Sequence, residues 1–188
     1  MLLLGSMLVA GSCKKDDPEG ARLPPFTTTG EEVAGCRIDG KVWLTTPFTG
    51  TIISGSGVAV VITKHTDKNY FTTSLTLSSN SPHRLITLDV TGPAATGVFA
   101  INGKFPAAAA LQPYPNYATY KNTNGPGTTG SFATGPMATG QLTISHLDMT
   151  KHIIAGRFDF TAQDSVTSQR VTITEGRFDG VFWYLEVP

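Results

Sequence analysis

Runs of alternating apolar and polar residues, each bounded by Gly, Pro, Asn or Ser, recur along most of this 188-residue chain. Successive side chains of a strand point to opposite faces, so such alternation gives each run one face to bury and one to leave in water. The runs are 58–65 (VAVVITKH), 70–78 (YFTTSLTLS), 84–90, 97–102, 140–148, 152–163 and 170–187. Within them, Leu75 and Leu77 share a face; Phe158 and Phe160 do the same, while Arg157 and Asp159 point away. In CRIDGKVW (36–43), two short runs flank Asp39-Gly40, a pair that tolerates the positive φ angles of a two-residue hairpin turn. About eight to ten strands, spaced by roughly 8–15 residues, predict an all-β domain: an antiparallel β-sandwich, with a β-barrel as the alternative. No helix-period stripe exceeds about two turns. AAAAL at 107–111 is the best candidate for a turn of helix.

Charge narrows the partners. Lys and Arg total 14 against 14 for Asp and Glu, so no basic field is available to hold a nucleic-acid backbone. Charged residues form only 15% of the chain, and abundant Thr, Ser and Gly suit strand faces and tight turns.

The N-terminus reads as an address. Residues 1–12 are nearly all apolar but fall short of the roughly 20 residues that a permanent membrane span needs. They have the character of a secretory signal, and Ala10-Gly11-Ser12 are small residues placed just before Cys13. This resembles a bacterial lipobox, whose cysteine becomes the lipidated first residue of the mature protein. It departs from the common pattern in carrying Ala10 where leucine is commoner and no Lys or Arg ahead of the apolar run. The expected organisation is a lipoprotein signal peptide (1–12), lipidated Cys13 with an extended tether (13–34), and one β domain (35–188). The tether expectation rests on charges, Pro24-Pro25 and the lack of any sustained period. Lys14-Lys15-Asp16-Asp17 is similar to the short acidic export signal of Bacteroidota surface lipoproteins, so the outer membrane is expected, with the cell surface preferred over the periplasmic face.

Residues 104–140 break the strand rhythm with Pro, Gly, Ala, Asn and Thr. Tyr114, Tyr117 and Tyr120 recur every third residue, so a polyproline-like backbone would put all three rings on one side as a candidate glycan or protein-binding ladder. The competing expectation is that Tyr117 and Tyr120 begin an edge strand and pack inward. Gly156-Arg157-Phe158-Asp159 recurs as Gly176-Arg177-Phe178-Asp179, in neighbouring predicted strands that need not place the two copies opposite one another. Asp148, Asp159, Asp164 and Asp179 have no calcium-loop spacing, and His65, His83, His146 and His152 lie on separate strands or turns, so no metal or other cofactor is expected. Cys36, the sole cysteine left once Cys13 is lipidated, is expected as a small buried strand residue. Gly55-Ser56-Gly57 lacks the pattern of a nucleophile elbow, and no catalytic residue is assigned.

LPPFTTTGEEVAGCRIDGKVW (23–43), ATGQLTISHLDMTKHIIAGRFDF (138–160) and VTITEGRFD (171–179) together resemble a family of lipoproteins of unknown function from Bacteroidota. The shared marks are a Leu-Pro-Pro start, a Gly-Cys segment leading into a hairpin, and two closing strands ending in Gly-Arg-Phe-Asp. Val33-Ala34 stand where members often carry an aromatic residue. The resemblance implies an envelope lipoprotein with one β domain and brings no activity with it. The functional expectation is a membrane-anchored binding or structural module, with a hydrolytic enzyme, for example one acting on glycans, as the alternative.

Overall fold

The computed structural model describes residues 21–47, 55–80, 83–104, 115–123 and 129–188. Among them there is no helix. The strands are β1 (Val33–Ile38), β2 (Lys41–Leu44), β3 (Val58–His65), β4 (Tyr70–Asn80), β5 (His83–Gly92), β6 (Gly97–Ile101), β7 (Tyr117–Thr123), β8 (Thr129–Ala133), β9 (Gly140–Asp148), β10 (Ile153–Asp164) and β11 (Arg170–Val187). The all-β expectation holds. Asp39 and Gly40 join β1 to β2 with φ of 49° and 81°, the two-residue turn that the sequence called for. AAAAL and Cys13 lie outside the described residues.

All eleven strands belong to one mixed sheet, in the order β2-β1-β11-β3-β4-β5-β7-β8-β10-β9-β6, with β11 also paired to β10. Hydrogen-bonded neighbours therefore run in a ring, β11-β3-β4-β5-β7-β8-β10 and back to β11. β1 and β2 extend from one side of β11, and β9 and β6 from β10. The arrangement is not wholly antiparallel as expected: Phe182–Val187 pairs in parallel with Val60–His65. The 18 residues of β11 serve β10 and β1 with their first part and β3 with their last, and the second seam fixes the opposite polarity.

The core is one cluster that draws on the ring strands and also on Cys36 and Ile38 of β1, Trp43 of β2, Ile101 of β6 and Leu142 of β9. Leu75 and Leu77 of β4, Ile86 and Leu88 of β5, Ile62 of β3, and Phe158, Ile173 and Phe182 of β10 and β11 are all essentially inaccessible to solvent. At the β10–β11 seam the duplicated tetrapeptides do face each other: Gly156 pairs with Phe178, Arg157 with Arg177, and Phe158 with Gly176. Each phenylalanine lies over the opposite glycine. A Cβ on Gly156 would stand 2.8 Å from Phe178 Cε1, and one on Gly176 would stand 2.5 Å from Phe158 Cδ2. Glycine is thus required at both positions by the ring across the seam. Glu175, with φ of 53°, is the extra residue of a bulge just before the second tetrapeptide, where the register against both β10 and β1 shifts.

On the outer face the same repeat sets two arginines side by side, an unfavourable pairing of like charges. Residues 21–32, part of the expected tether, lie across it. The Arg157 guanidinium sits 4.5 Å from the centre of the Phe26 ring, and Arg177 Nη1 donates to the Pro24 carbonyl at 3.4 Å. Asp179 completes the clamp. Its carboxylate accepts the amides of Thr29 (2.9 Å), Gly30 (2.9 Å) and Glu31 (3.3 Å), a backbone nest made possible by the positive φ of Gly30. The described part of the tether is therefore a docked strap, and β1 starts at Val33 inside the segment expected to be linker.

Two outcomes follow from these contacts. Gly176→Ala should lower stability by about 1–3 kcal/mol in urea unfolding, the usual range for overpacking, whereas Gly55→Ala, with open space around it, should be close to neutral. Burial alone would raise the Asp179 carboxyl, but the neighbouring Thr27 hydroxyl and the three amides outweigh it and hold it below the ordinary carboxylate value. Its stabilisation is present above the unfolded-state value of about 3.9 and is lost as pH falls through the lower folded value. Asp179→Asn should cost about 1.5–3 kcal/mol at pH 7 and much less in acid below that window, measured by urea titrations across pH.

Candidate binding groove

β8 pairs with β7 along Thr119↔Ala133 to Thr123↔Thr129, and with the last two residues of β10 through Gln163↔Ala133 and Asp164↔Phe132. Where these three strands meet, the outer surface holds a groove of about 640 Å³. Thr119, Lys121, Ser131 and Gln163 line it together with Lys104, Met137 and Asp164. The groove is built on well-fixed backbone. Buried Thr134 accepts the Ala118 amide at 2.9 Å and donates to the Gly103 carbonyl at 2.9 Å, joining β7 to the segment after β6. Gly135 and Ala138 close a tight turn by exchanging backbone hydrogen bonds of 2.9 and 3.0 Å, which lifts Met137 into solvent.

Asp164 terminates β10 by accepting the amides of Val166 and Thr167, both at 2.8 Å. The amide of Thr167 and then that of Val166 are the main reasons its carboxyl is held below the ordinary value, so it is an anion at neutral pH. The groove thus presents two ammonium groups, one carboxylate, hydroxyls and an amide, with apolar Met137 at its margin. This lining offers hydrogen-bonding groups and charges of both signs beside the apolar surface of Ala133, Pro136, Met137 and Ala138. It contains no histidine to activate its serines.

The tyrosine ladder takes a different form. Tyr117 and Tyr120 are both in β7, an inner strand between β5 and β8, so their backbone is extended β and not polyproline. The two rings leave opposite faces of β7, and both side chains are buried. Tyr120 points inward against Phe132, with ring centres 5.7 Å apart. Tyr114 lies outside the described residues. The four aspartates are likewise dispersed. Asp148 accepts the amides of Thr150 and Lys151, Asp159 accepts from Gln141, and among the described residues no three His, Cys, Asp or Glu side chains form a metal-holding group.

Cys36 is free and fully buried on β1. Burial pushes its thiol up to about 12, against a smaller opposing pull from the Arg84 guanidinium. A thiol held in its protonated form is a poor nucleophile. His65 stacks on Tyr70 with ring centres 4.4 Å apart, and His152 stacks on Phe182 at 5.1 Å.

Lys104, Lys121 and Gln163 were not singled out by sequence reasoning, because their neighbours in space are separated by turns whose course no local pattern reveals. The alternation in YATYKNT (117–123) was the available signal: it places Thr119 and Lys121 on one face.

Residues 36–181 match the family described as a domain of unknown function (DUF6252), and the chain belongs to that family. The match begins at Cys36 and runs to Val181, through the whole β10–β11 seam. No curated protein and no solved structure matches the chain.

The burial of Cys36 has a direct chemical readout. In the native protein at pH 8 it should fail to react with a disulfide reagent such as dithionitrobenzoate over the time in which the urea-unfolded chain reacts fully. Rapid native labelling would contradict the buried, protonated thiol.

Proposed function

We propose that this chain is a lipoprotein of the Bacteroidota envelope, anchored to the outer membrane through lipidated Cys13 and facing the cell surface. In this reading its β domain is a binding or structural module and not a catalyst. The observation that carries it is the order of residues 1–17: an apolar run, the small residues Ala10-Gly11-Ser12, Cys13, then Lys14-Lys15-Asp16-Asp17. Two or more acyl chains on that cysteine give durable membrane attachment.

The docked strap adds a constraint on reach. Eleven residue steps separate Cys13 from Pro24, the strap residue that accepts from Arg177. Even fully extended, they cover about 40 Å at most, so the domain is held close to the bilayer. Its groove between β7, β8 and β10, with hydrogen-bonding groups set beside apolar surface, suits a glycan or a protein segment, and Lys104 and Lys121 favour acidic groups. The protonated, buried Cys36 supports the non-catalytic part of the reading.

Detergent-phase partitioning with mass spectrometry of the mature N-terminus tests the anchor. The wild type should enter the detergent phase with a lipidated Cys13 as its first residue, and Cys13→Ala should remain aqueous. A mature chain that begins elsewhere and stays aqueous would overturn the proposal. Glycan and peptide arrays probed with the full chain test the groove: the double change Lys104→Ala and Lys121→Ala should reduce the signal for acidic ligands, and hydrolysis of an arrayed glycan would favour the enzyme.

A further inference from the structure

The last part of β11 keeps one edge open. Up to Val181 this strand is paired with β10 and, between Ile173 and Asp179, with β1; beyond Val181 only β3 remains, through Phe182↔Val60 to Val187↔His65. Val187 turns its carbonyl to the β3 side, where it accepts the Thr66 amide at 3.0 Å, and Phe182 turns its amide the other way, donating to the His152 carbonyl at 2.9 Å. Backbone groups alternate between the two edges of a strand, so the N–H and C=O groups of Tyr184 and Glu186 face away from β3. Among the described residues nothing pairs with them.

The outward row of the same stretch is apolar. Val181, Trp183 and Leu185 are 43%, 45% and 50% exposed, and the residues paired with them are Ile153 of β10 and Val61 and Thr63 of β3. The strap reaches this row only at its start, where Gly30 lies against Ile153 and Val181. Neither the row nor its paired neighbours carry a charge, and no proline or bulge interrupts residues 182–187, so the devices that ordinarily keep an open strand edge from pairing are missing here. A bilayer could accept the apolar row but not the edge beside it, because hydrocarbon offers nothing to the open backbone groups. Another strand satisfies both.

We propose that this edge is a self-association site, at which β11 of a second copy of the chain pairs antiparallel about a two-fold axis at Leu185. In that register Tyr184 of one copy and Glu186 of the other exchange both backbone hydrogen bonds, so every open group of the two residues is used. Leu185 then meets Leu185, and Trp183 lies across from Val187 on the same face. A register centred on Tyr184 would instead set Glu186 against Phe182, whose amide His152 already holds. Charge agrees with the axis at Leu185: Glu186 is matched within its own copy by Lys64 at 3.2 Å and by the Tyr184 hydroxyl at 3.1 Å, and it does not face its symmetry mate. The axis of such a pair runs along the sheet normal, so both straps lie on one side of the dimer, as anchorage of two chains in one bilayer requires. The pairing itself does not depend on that anchorage.

The test is sedimentation equilibrium of the full chain, carrying Cys13→Ala, from about 10 μM to about 1 mM, a range set by an edge much shorter than the roughly 20–30 residues a side of a standard interface. The chain should pass from monomer to dimer. Leu185→Lys should weaken the dimer about tenfold or more by setting like charges at the axis, and Val166→Lys, on an exposed turn, should match the parent. Under mild oxidation Leu185→Cys should cross-link about tenfold faster than Val166→Cys, because the axis pairs residue 185 with itself at a Cα separation of about 4.5 Å. A chain monomeric throughout, or equal cross-linking at 185 and 166, would overturn the proposal, and faster cross-linking through Trp183→Cys than through Leu185→Cys would overturn the axis. Binding to phosphatidylcholine vesicles that Leu185→Lys abolishes would give the apolar row to lipid instead. Solvent exchange of the Tyr184 and Glu186 amides in the parent chain gives a readout that does not depend on the variants folding. It should slow as concentration rises, and exchange indifferent to concentration would also reject the site.

Discussion

The exchange of phenylalanine rings over opposing glycines at the β10–β11 seam is the constraint on which the rest of the structure depends. Phe158 occupies the space above Gly176, and Phe178 the space above Gly156. Because both rings turn inward, the intervening Arg157 and Arg177 must turn outward, which creates the like-charged pair on the surface. The bulge at Glu175 adjoins the second tetrapeptide, and the sheet passes from this seam to its remaining partners. A short repeat thus sets the core, the outer electrostatics and a change of register together.

The strap is the answer to the charge problem so created. Phe26 provides an aromatic face for one arginine and Pro24 a carbonyl for the other, while Asp179, the last residue of the second tetrapeptide, gathers three consecutive amides. An irregular segment stays in place without strand pairing because its backbone donors are matched by a buried carboxylate. The Leu-Pro-Pro segment is thereby part of the packed structure as well as part of the approach to Cys13.

Much of the architecture was legible in the sequence, for a simple reason. Where one face of a strand is buried and the other wet, period two appears in the residues themselves, and β3, β9 and β11 carry the bounds that this pattern predicted. β8 escaped because it lies in a stretch rich in Gly, Pro and Thr, and β7 stood only as a competing expectation because all of Tyr117–Tyr120 is buried, which blurs the alternation in its first half. The parallel seam and the facing tetrapeptides were not legible either, since both depend on long-range pairing. The groove shares that difficulty: Lys104, Lys121 and Asp164 become neighbours only when three distant segments meet.

The distance in sequence between β11 and two of its partners bears on how the molecule can be assembled. β1, β3 and β10 all complete their hydrogen bonding against residues 170–187, so β1 and β3 lack one partner until a segment much further along the chain has been made. Until then their open edges are templates for pairing with other chains. Long sequence separation between partners also slows closure. The ring therefore closes late, once β11 has joined β3 to β10, and until then the core cannot be sealed from water.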